Sequence, residues 1–250
     1  MLGRIAGIPL VADPSWFLQV AVLTLIARAN ITGFVIGRDA EQATAWIVSI
    51  ALALGIVACI VTHELAHSVV ARAYGLPVKR IVLFVLGGVS QIEREAPNPR
   101  AEAAIAVAGP LTSMLIACAL GGVGLLLEPG AVHLRESSPW GWFATINWFL
   151  AAFNLLPAFP MDGGRVLRSA LWRGLQSRPR ATRVAARAGQ GFASLLGVAG
   201  LGKFWADSAS GGGASADAIW LVLLALFLFQ AAGSAGRAES AERPNEREFR

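Results

Sequence analysis

Two histidines and a glutamate lie close together in an otherwise apolar part of the sequence. Residues 63–67 have the sequence HELAH, and Glu64 is the only formally charged side chain between residues 42 and 71. Positions four apart share one face of a helix, so His63 and His67 can offer imidazole nitrogens to one zinc ion. Glu64, one position further round, can take a proton from a nearby water. This spacing is the HExxH pattern of zinc hydrolases.

The apolar surroundings of the HELAH motif strengthen the case for a metal. A charged side chain at membrane depth costs about 2.5–3.5 kcal/mol on insertion scales, so such residues usually mark functional sites. As ordinary core residues, His63, Glu64 and His67 would each need a separate partner, because buried polar groups must be hydrogen-bonded or neutralised. One zinc ion satisfies all three. We therefore expect Zn²⁺ as the cofactor, with one ion per chain.

A catalytic zinc ion takes three protein ligands and keeps one position open for water, so a further ligand is needed. His133 lies in a predicted outer loop, whereas Asp162 follows an apolar segment. Two prolines and two glycines between residues 157 and 164 interrupt the helix around Asp162. Irregular backbone at membrane depth is tolerated only inside protein or beside a water-filled cavity, which suits a metal site. The alternative is that Asp162 only caps a helix beginning at Gly163.

The composition predicts a membrane protein. The chain is 55% hydrophobic and 15% charged, which lies outside the balance of a soluble domain. A transmembrane helix needs about 20 apolar residues. On this basis we expect six spans, of which the first and fifth are the weakest, near residues 16–28, 45–71, 103–127, 141–160, 188–202 and 218–233.

The distribution of basic residues predicts the orientation. Cytoplasmic loops carry the excess of Lys and Arg, and six spans with the N-terminus inside place most of the 21 Lys and Arg residues in the cytoplasm. We expect a multi-pass protein of the cell membrane with both termini cytoplasmic, a membrane domain over residues 1–235 and a charged tail over residues 236–250. The lipid bilayer, with its anionic inner face, accounts for the net charge of +5 without nucleic acid as a partner.

The segment after the second predicted span is typical of a β-hairpin. Residues 79–92 are rich in β-branched and aromatic residues and are interrupted by Gly87 and Gly88. A transmembrane helix must be unwound before it can be cut, because its amides are bonded internally. The edge of a hairpin can hold the unwound segment by strand addition, which makes Gly87 and Gly88 candidate substrate-binding residues. The alternative is a hairpin with a purely structural role.

Asn154 is a further candidate for contact with the substrate. Its amide group is costly inside a predicted span, so it needs a polar partner. That partner is either the substrate backbone or oxyanion, or a group on a neighbouring helix. The sequence leaves both roles open.

Four motifs occur in order along the sequence. They are HELAH at residues 63–67, Gly-Gly-Val-Ser at 87–90, Gly-Pro-Leu-Thr-Ser at 109–113, and Asn154-Leu-Leu-Pro157 to Asp162-Gly163. Together they resemble the motifs of the site-2 protease family of intramembrane zinc metalloproteases, in the six-span prokaryotic branch. The resemblance covers nearly all of residues 3–233. Relatives in this branch often carry a pair of cytoplasmic CBS domains after the last span, and because this sequence ends at Arg250 we expect no regulation through such domains.

The resemblance implies a fold and an activity. The fold is an all-α polytopic membrane protein with about six transmembrane helices and a short membrane-associated β-hairpin after the second span. In such a protein His63, His67 and Asp162 bind zinc, and Glu64 is the general base. The implied activity is regulated intramembrane proteolysis, in which an endopeptidase cuts a partly unwound transmembrane segment of a membrane-tethered regulator. Such a regulator is an anti-sigma factor or a membrane-bound transcription factor.

Two other functions fit part of the sequence. A membrane zinc protease of another family, acting in protein quality control, shares the HExxH pattern but normally takes a Glu from a later helix as third ligand. The context of Asp162 argues against it. A metal transporter also places His and acidic residues in its spans, but it is expected to show internal repeats and ligands spread along a path. The sequence shows neither feature.

The proposed ligand set predicts the metal content of the protein. The purified protein should hold about one zinc ion per chain, and changing His63, His67 or Asp162 to Ala should remove both the metal and the activity. Inductively coupled plasma mass spectrometry of the purified variants measures the zinc directly. Full zinc retention by Asp162→Ala would assign the third ligand to another residue.

Overall fold

The computed structural model describes residues 1–30, 32–37, 39–127, 138–209 and 215–241. Within these ranges the chain forms eight helices and four strands. They divide into two compact units: unit 1 is Met1–Pro97 with Val107–Phe153, and unit 2 is Asn98–Ala106 with Asn154–Arg250. His133 and the last nine residues of the predicted tail lie outside the described residues.

Unit 1 contains the strands and the helix with the HELAH motif. The strands β1 (Gly3–Ile5) and β2 (Ile8–Ala12) come first. Three helices follow, namely α1 (Trp16–Asn30), α2 (Thr32–Ile36) and α3 (Gln42–Ala73). Next come β3 (Val78–Phe84), β4 (Gly87–Ile92), the helix α4 (Pro99–Leu127), which begins in unit 2, and α5 (Pro139–Asn154).

The four strands form one sheet in the order β1-β2-β3-β4. The β3-β4 pair is antiparallel, which confirms the predicted hairpin, while β2 runs parallel to β3 with Leu10 opposite Ile81. The turn lies at Val85 and Leu86, and the glycine pair begins β4 instead of forming the turn. The fold is therefore mostly helical with a small sheet, where the sequence predicted an isolated hairpin.

An apolar core holds this sheet against α3. Ile8, Ile81 and Leu83 of the sheet are buried together with Val57 and Val61 of α3. Each fully buried aliphatic side chain contributes about 1.5–3 kcal/mol. The core lies directly before the HELAH motif in α3, so it fixes β3 and β4 beside that part of the helix.

Three helices in the described part of the chain are long and apolar enough to cross a membrane. They are α3, α4 and residues Ala216–Arg237 of the last helix, and they support the second, third and sixth predicted spans. The apolar helix α1 has 15 residues. At 1.5 Å per residue it is about 22 Å long, which is shorter than the apolar core of a bilayer at about 30 Å. The number of six spans stays a prediction.

Unit 2 is built on the last three helices, α6 (Asp162–Leu175), α7 (Arg178–Ala209) and α8 (Ala216–Ala241). The segment between α5 and α6 packs on them: Phe159 is buried with Ala185 of α7, and Met161 with Leu228 of α8. The predicted interruption of the helix between Asn154 and Asp162 is thereby confirmed. The fourth apolar segment, predicted over residues 141–160, is helical only as far as Asn154.

The start of α6 places Asp162 inside the helix. Met161 occupies the N-cap position, with φ −67° and ψ 160°, and Asp162 is the first helical residue. Asp162 therefore does not cap a helix that starts at Gly163. A Cβ atom on Gly163 would lie 2.3 Å from the carbonyl oxygens of Leu155 and Leu156, so only glycine allows the interrupted segment to fold back on this first turn.

A buried ion pair joins the first turn of α4 to α6 within unit 2. Glu102 is 1% exposed, and its Oε1 accepts hydrogen bonds from the guanidinium group of Arg168. The same guanidinium lies 5.4 Å from the ring centroid of Phe159. The second carboxylate oxygen of Glu102 has no hydrogen-bond partner among the described residues. The pair therefore fixes the helix that Asp162 begins, at the cost of one unsatisfied oxygen.

This ion pair predicts a difference between single and double variants. Glu102→Leu alone should lower the free energy of unfolding by about 3–5 kcal/mol, because it leaves a buried charge without its partner. The double variant Glu102→Leu with Arg168→Met should recover most of that loss, because no charge remains buried. Chemical unfolding in mixed detergent micelles measures both. An equal loss in the two proteins would contradict the assignment of a buried pair.

Candidate metal centre

Helix α3 brings the three functional side chains of the HELAH motif together. One ligand atom from each of His63, Glu64 and His67 lies within 4.8 Å of the other two. The two imidazoles are 3% and 4% exposed, and their ring centroids are 4.9 Å apart at an interplanar angle of 76°. Among the described residues, this is the group of His, Cys, Asp and Glu side chains that could hold a metal ion.

Helix α4 passes this cluster at a glycine. A Cβ atom on Gly109 would lie 2.2 Å from Nε2 of His67 and 2.6 Å from Nε2 of His63. Both Nε2 atoms therefore converge on the space that any other residue would fill. Zinc takes imidazole nitrogens and carboxylate oxygens as ligands at about 2.0–2.2 Å. A buried pair of imidazoles beside a carboxylate, with room kept at their nitrogens, fits this ion.

Ser113 fixes the orientation of the first imidazole. Its Oγ lies 2.9 Å from Nδ1 of His63, and both residues are buried. When Nδ1 donates to this hydroxyl, the lone pair of Nε2 is free for the metal; such outer partners orient metal-binding histidines. In the sequence, Gly109 and Ser113 stand out only as parts of the Gly-Pro-Leu-Thr-Ser motif. Their spacing of four, which places them on one face of α4, is the signal that connects them.

Strand β4 holds the carboxylate of Glu64. The hydroxyl of Ser90 lies 2.8 Å from Oε2 of Glu64 and 2.9 Å from the backbone carbonyl oxygen of the same residue. Since a hydroxyl has one proton, it donates to one of these oxygens at a time. Ser68 of α3 in turn donates to Ser90 at 3.1 Å. The orientation of the candidate base is therefore set by a strand as well as by its own helix.

Glycine occupies positions 87 and 88 of β4 for two different physical reasons. A Cβ atom on Gly88 would lie 2.8 Å from Cγ of Glu64, so glycine allows the strand to approach α3 this closely. Gly87 has a φ of +144°, a conformation that favours glycine, and no atom lies within 4 Å of the position of a Cβ there. Contact of Gly87 and Gly88 with a substrate stays a prediction.

The remaining predicted residues belong to unit 2. Asp162 is buried at the first position of α6, and Asn154 is half-buried at the last position of α5. The role of Asp162 as third zinc ligand stays a prediction. The role of Asn154 at the oxyanion or the substrate backbone stays a prediction as well.

Comparison with known proteins assigns the family. The model of Peptidase family M50 matches residues 51–132 and 123–196, which together make up more than half of the chain. The chain belongs to peptidase family M50, the site-2 protease family. This membership confirms the resemblance found in the motifs. It also decides against a zinc protease of another family.

Individual relatives agree with the family assignment. "Putative zinc metalloprotease sll0528" from Synechocystis is 35% identical over 248 residues, which cover 94% of this chain and 59% of the relative. "Putative zinc metalloprotease Rip3" from Mycobacterium tuberculosis is 37% identical over 233 residues, which cover 92% and 57%. The chain thus spans less than two thirds of the length of these relatives. Their names and the donor set of α3 agree on zinc as the cofactor of this M50 protein.

The solved structure of a site-2 protease from Methanocaldococcus jannaschii has a similar fold. The two chains superpose with a TM-score of 0.60 at 28% sequence identity, and the match covers 94% of each. The similarity therefore covers nearly the whole chain and is not limited to the segment around the HELAH motif.

The close approach of Gly109 to the two imidazoles predicts that a side chain at this position causes a loss of zinc. Gly109→Ala should abolish zinc binding, because the new methyl group would overlap the space between the two Nε2 atoms. Gly122→Ala in the same helix is the matched control, since no atom lies within 4 Å of its Cβ position and alanine favours a helix. Metal analysis of both purified variants checks this. Equal zinc content in the two proteins would contradict the packing of α4 at the metal centre.

Proposed function

We propose that this M50 protein is a zinc-dependent intramembrane endopeptidase that acts in regulated intramembrane proteolysis. The observation that carries the proposal is the cluster in α3, a helix long and apolar enough to cross a membrane. It combines the buried imidazoles of His63 and His67 with the half-buried carboxylate of Glu64. A hydrolytic centre at this place is suited to substrates that lie in the membrane themselves. The family and the names of the relatives support a zinc metallopeptidase.

The proposed ligands are His63, His67 and Asp162. Three protein ligands leave one coordination position for water or substrate, as catalytic zinc requires. The burial of Asp162 and its place directly after the interrupted segment support this role. When bound, zinc polarises the scissile carbonyl and activates a water molecule.

The side chains other than the zinc ligands transfer the proton, orient the reacting groups and stabilise the oxyanion. Glu64 takes a proton from the attacking water and delivers it to the nitrogen of the leaving amine. Ser90 keeps the Glu64 carboxylate oriented, and Ser113 keeps the imidazole of His63 oriented. Asn154 is proposed to donate its amide proton to the developing oxyanion, which stabilises the transition state.

The edge strand β4 is the proposed binding site for the substrate backbone. In the described part of the chain it pairs with β3 on one side only. An unwound transmembrane segment can add to the free edge through main-chain hydrogen bonds, and Gly87 and Gly88 are the proposed contact residues in this strand. The substrate we propose is a membrane-tethered regulator, such as an anti-sigma factor or a membrane-bound transcription factor.

We further propose six spans with both termini in the cytoplasm. Three of the spans are α3, α4 and α8, and the others are α1, α5 and α7, which cross as short or tilted helices. Several large apolar side chains on α1, α5 and α7 are more than half exposed, and lipid would cover them. Examples are Phe17, Phe149 and Leu195. The excess of basic residues in the loops assigned to the cytoplasm supports the orientation.

The proposed base predicts a variant that separates metal binding from chemistry. Glu64→Gln should keep about one zinc ion per chain while cleavage falls by about 10²–10⁴-fold, because the amide cannot accept the proton of the attacking water. His67→Ala, as the control, should lose zinc and cleavage together. The assay uses the full chain in liposomes with a single-span substrate protein, followed by gel analysis of the products.

Two outcomes of this assay would contradict the proposal at different levels. Cleavage by Glu64→Gln within a few-fold of the parent would overturn the role of Glu64. A zinc-loaded parent protein that cuts soluble peptides but never a membrane-embedded segment would overturn intramembrane proteolysis.

A further inference from the structure

Ser90 connects the edge strand to the candidate base through two contacts. Its Oγ lies within hydrogen-bond distance of both the carboxylate and the backbone carbonyl of Glu64, at 2.8 Å and 2.9 Å. The buried hydroxyl of Ser68 donates to the oxygen of Ser90 at 3.1 Å. Since a hydroxyl has one proton, Ser90 donates it to one of the two Glu64 oxygens at a time. The strand and the carboxylate are therefore held to each other directly.

The turn of the same hairpin is held by a different helix. The amide of Val85 donates to the hydroxyl of Ser15 at 3.2 Å. The side-chain amide of Gln19, oriented to satisfy both neighbours, donates to the carbonyl of Phe84 at 3.1 Å and accepts from the amide of Gly87 at 3.3 Å. Helix α1 and Ser15 directly before it thus fix the turn, and α3 fixes the strand that follows it. The position of β4 along α3 depends on both attachments.

We propose that Ser90 is a positioning residue that fixes the register between a substrate strand and Glu64, and that it thereby determines which peptide bond is cut. This inference rests on the proposed function. Main-chain hydrogen bonds set the position of an added strand in steps of about 3.3 Å per residue. The base has to lie within about 2.6–3.2 Å of the proton it abstracts. A shift of β4 by a fraction of one residue therefore takes the original peptide bond out of reach of the base, and a shift that approaches one residue presents the neighbouring bond.

The geometry explains why a serine suits this position. Ser90 lies opposite Ile81, which is buried in the core between the sheet and α3. Its short side chain reaches the carboxylate of Glu64 directly, so the strand cannot slide along α3 without breaking the bond. Loss of the hydroxyl leaves the pairing with β3, the contacts of the turn and the apolar core to hold the strand. None of these contacts joins β4 to the carboxylate of Glu64.

The experiment compares three variants in the full chain, reconstituted in liposomes with a single-span substrate protein. In Ser90→Ala, zinc content should stay at the parent level and KM should change by less than about twofold, while kcat falls by about 10–100-fold because the base is displaced. Mass spectrometry of the products should show cuts at several neighbouring bonds where the parent cuts one. Ser90→Thr, which keeps the hydroxyl, should restore a single cut.

Ser68→Ala is the matched control. It removes a hydroxyl from the same cluster but leaves the bonds between Ser90 and Glu64, so it should cut at the same single bond as the parent. Hydrogen exchange of the zinc-free proteins gives a readout that needs no turnover. The amides of β4 should exchange faster in Ser90→Ala than in the parent or in Ser68→Ala.

The outcomes separate this inference from the proposed function. A single unchanged cut in Ser90→Ala overturns the register role of Ser90, even if kcat falls. If Ser90→Ala fails to fold, Ser90→Thr decides: cuts at several bonds by the folded protein overturn the register role, and a single cut supports it.

A parent protein that cleaves no membrane substrate overturns the proposed function. Hydrogen exchange then still tests whether Ser90 attaches β4 to α3. Equal exchange of the β4 amides in the parent and in Ser90→Ala overturns that attachment.

Discussion

The structure depends on one constraint: a carboxylate and two imidazoles in an apolar helix must all be satisfied where little water is present. An unsatisfied buried polar group costs about 1–3 kcal/mol, and a charged one costs more. A metal ion satisfies the two imidazoles together, but only if their nitrogens converge and nothing else fills the space between them. The neighbours of α3 meet this requirement, because α4 presents Gly109 to the two nitrogens and Ser113 to the outer side of His63.

The small sheet also helps to satisfy the polar side chains of α3, because it contacts the carboxylate of Glu64. Its apolar core with Val57 and Val61 fixes the hairpin beside α3, and Gly88 and Ser90 bring β4 to the side chain of Glu64. One strand therefore orients the candidate base and is also the edge at which we propose that the substrate binds. In that proposal, substrate binding and proton transfer share a structural element.

Unit 2 holds the irregular segment between α5 and α6 in a fixed position. The residues between α5 and α6 are covered by apolar contacts of Phe159 and Met161. The absence of a side chain on Gly163 lets this segment fold back on α6, and the ion pair of Glu102 with Arg168 fixes that helix. Asp162 consequently lies in a buried position at the start of α6.

Features that depend on neighbours a few residues apart could be predicted from the sequence alone. The spacing of His63 and His67, the apolar helices, the hairpin after α3 and the interruption before Asp162 are all local patterns of periodicity or of Pro and Gly. Contacts between distant residues became known only from the folded structure. The bond from His63 to Ser113 spans 50 positions, and the parallel pairing of β2 with β3 joins Leu10 to Ile81. Such contacts depend on how whole helices and strands pack, and no local pattern encodes that packing.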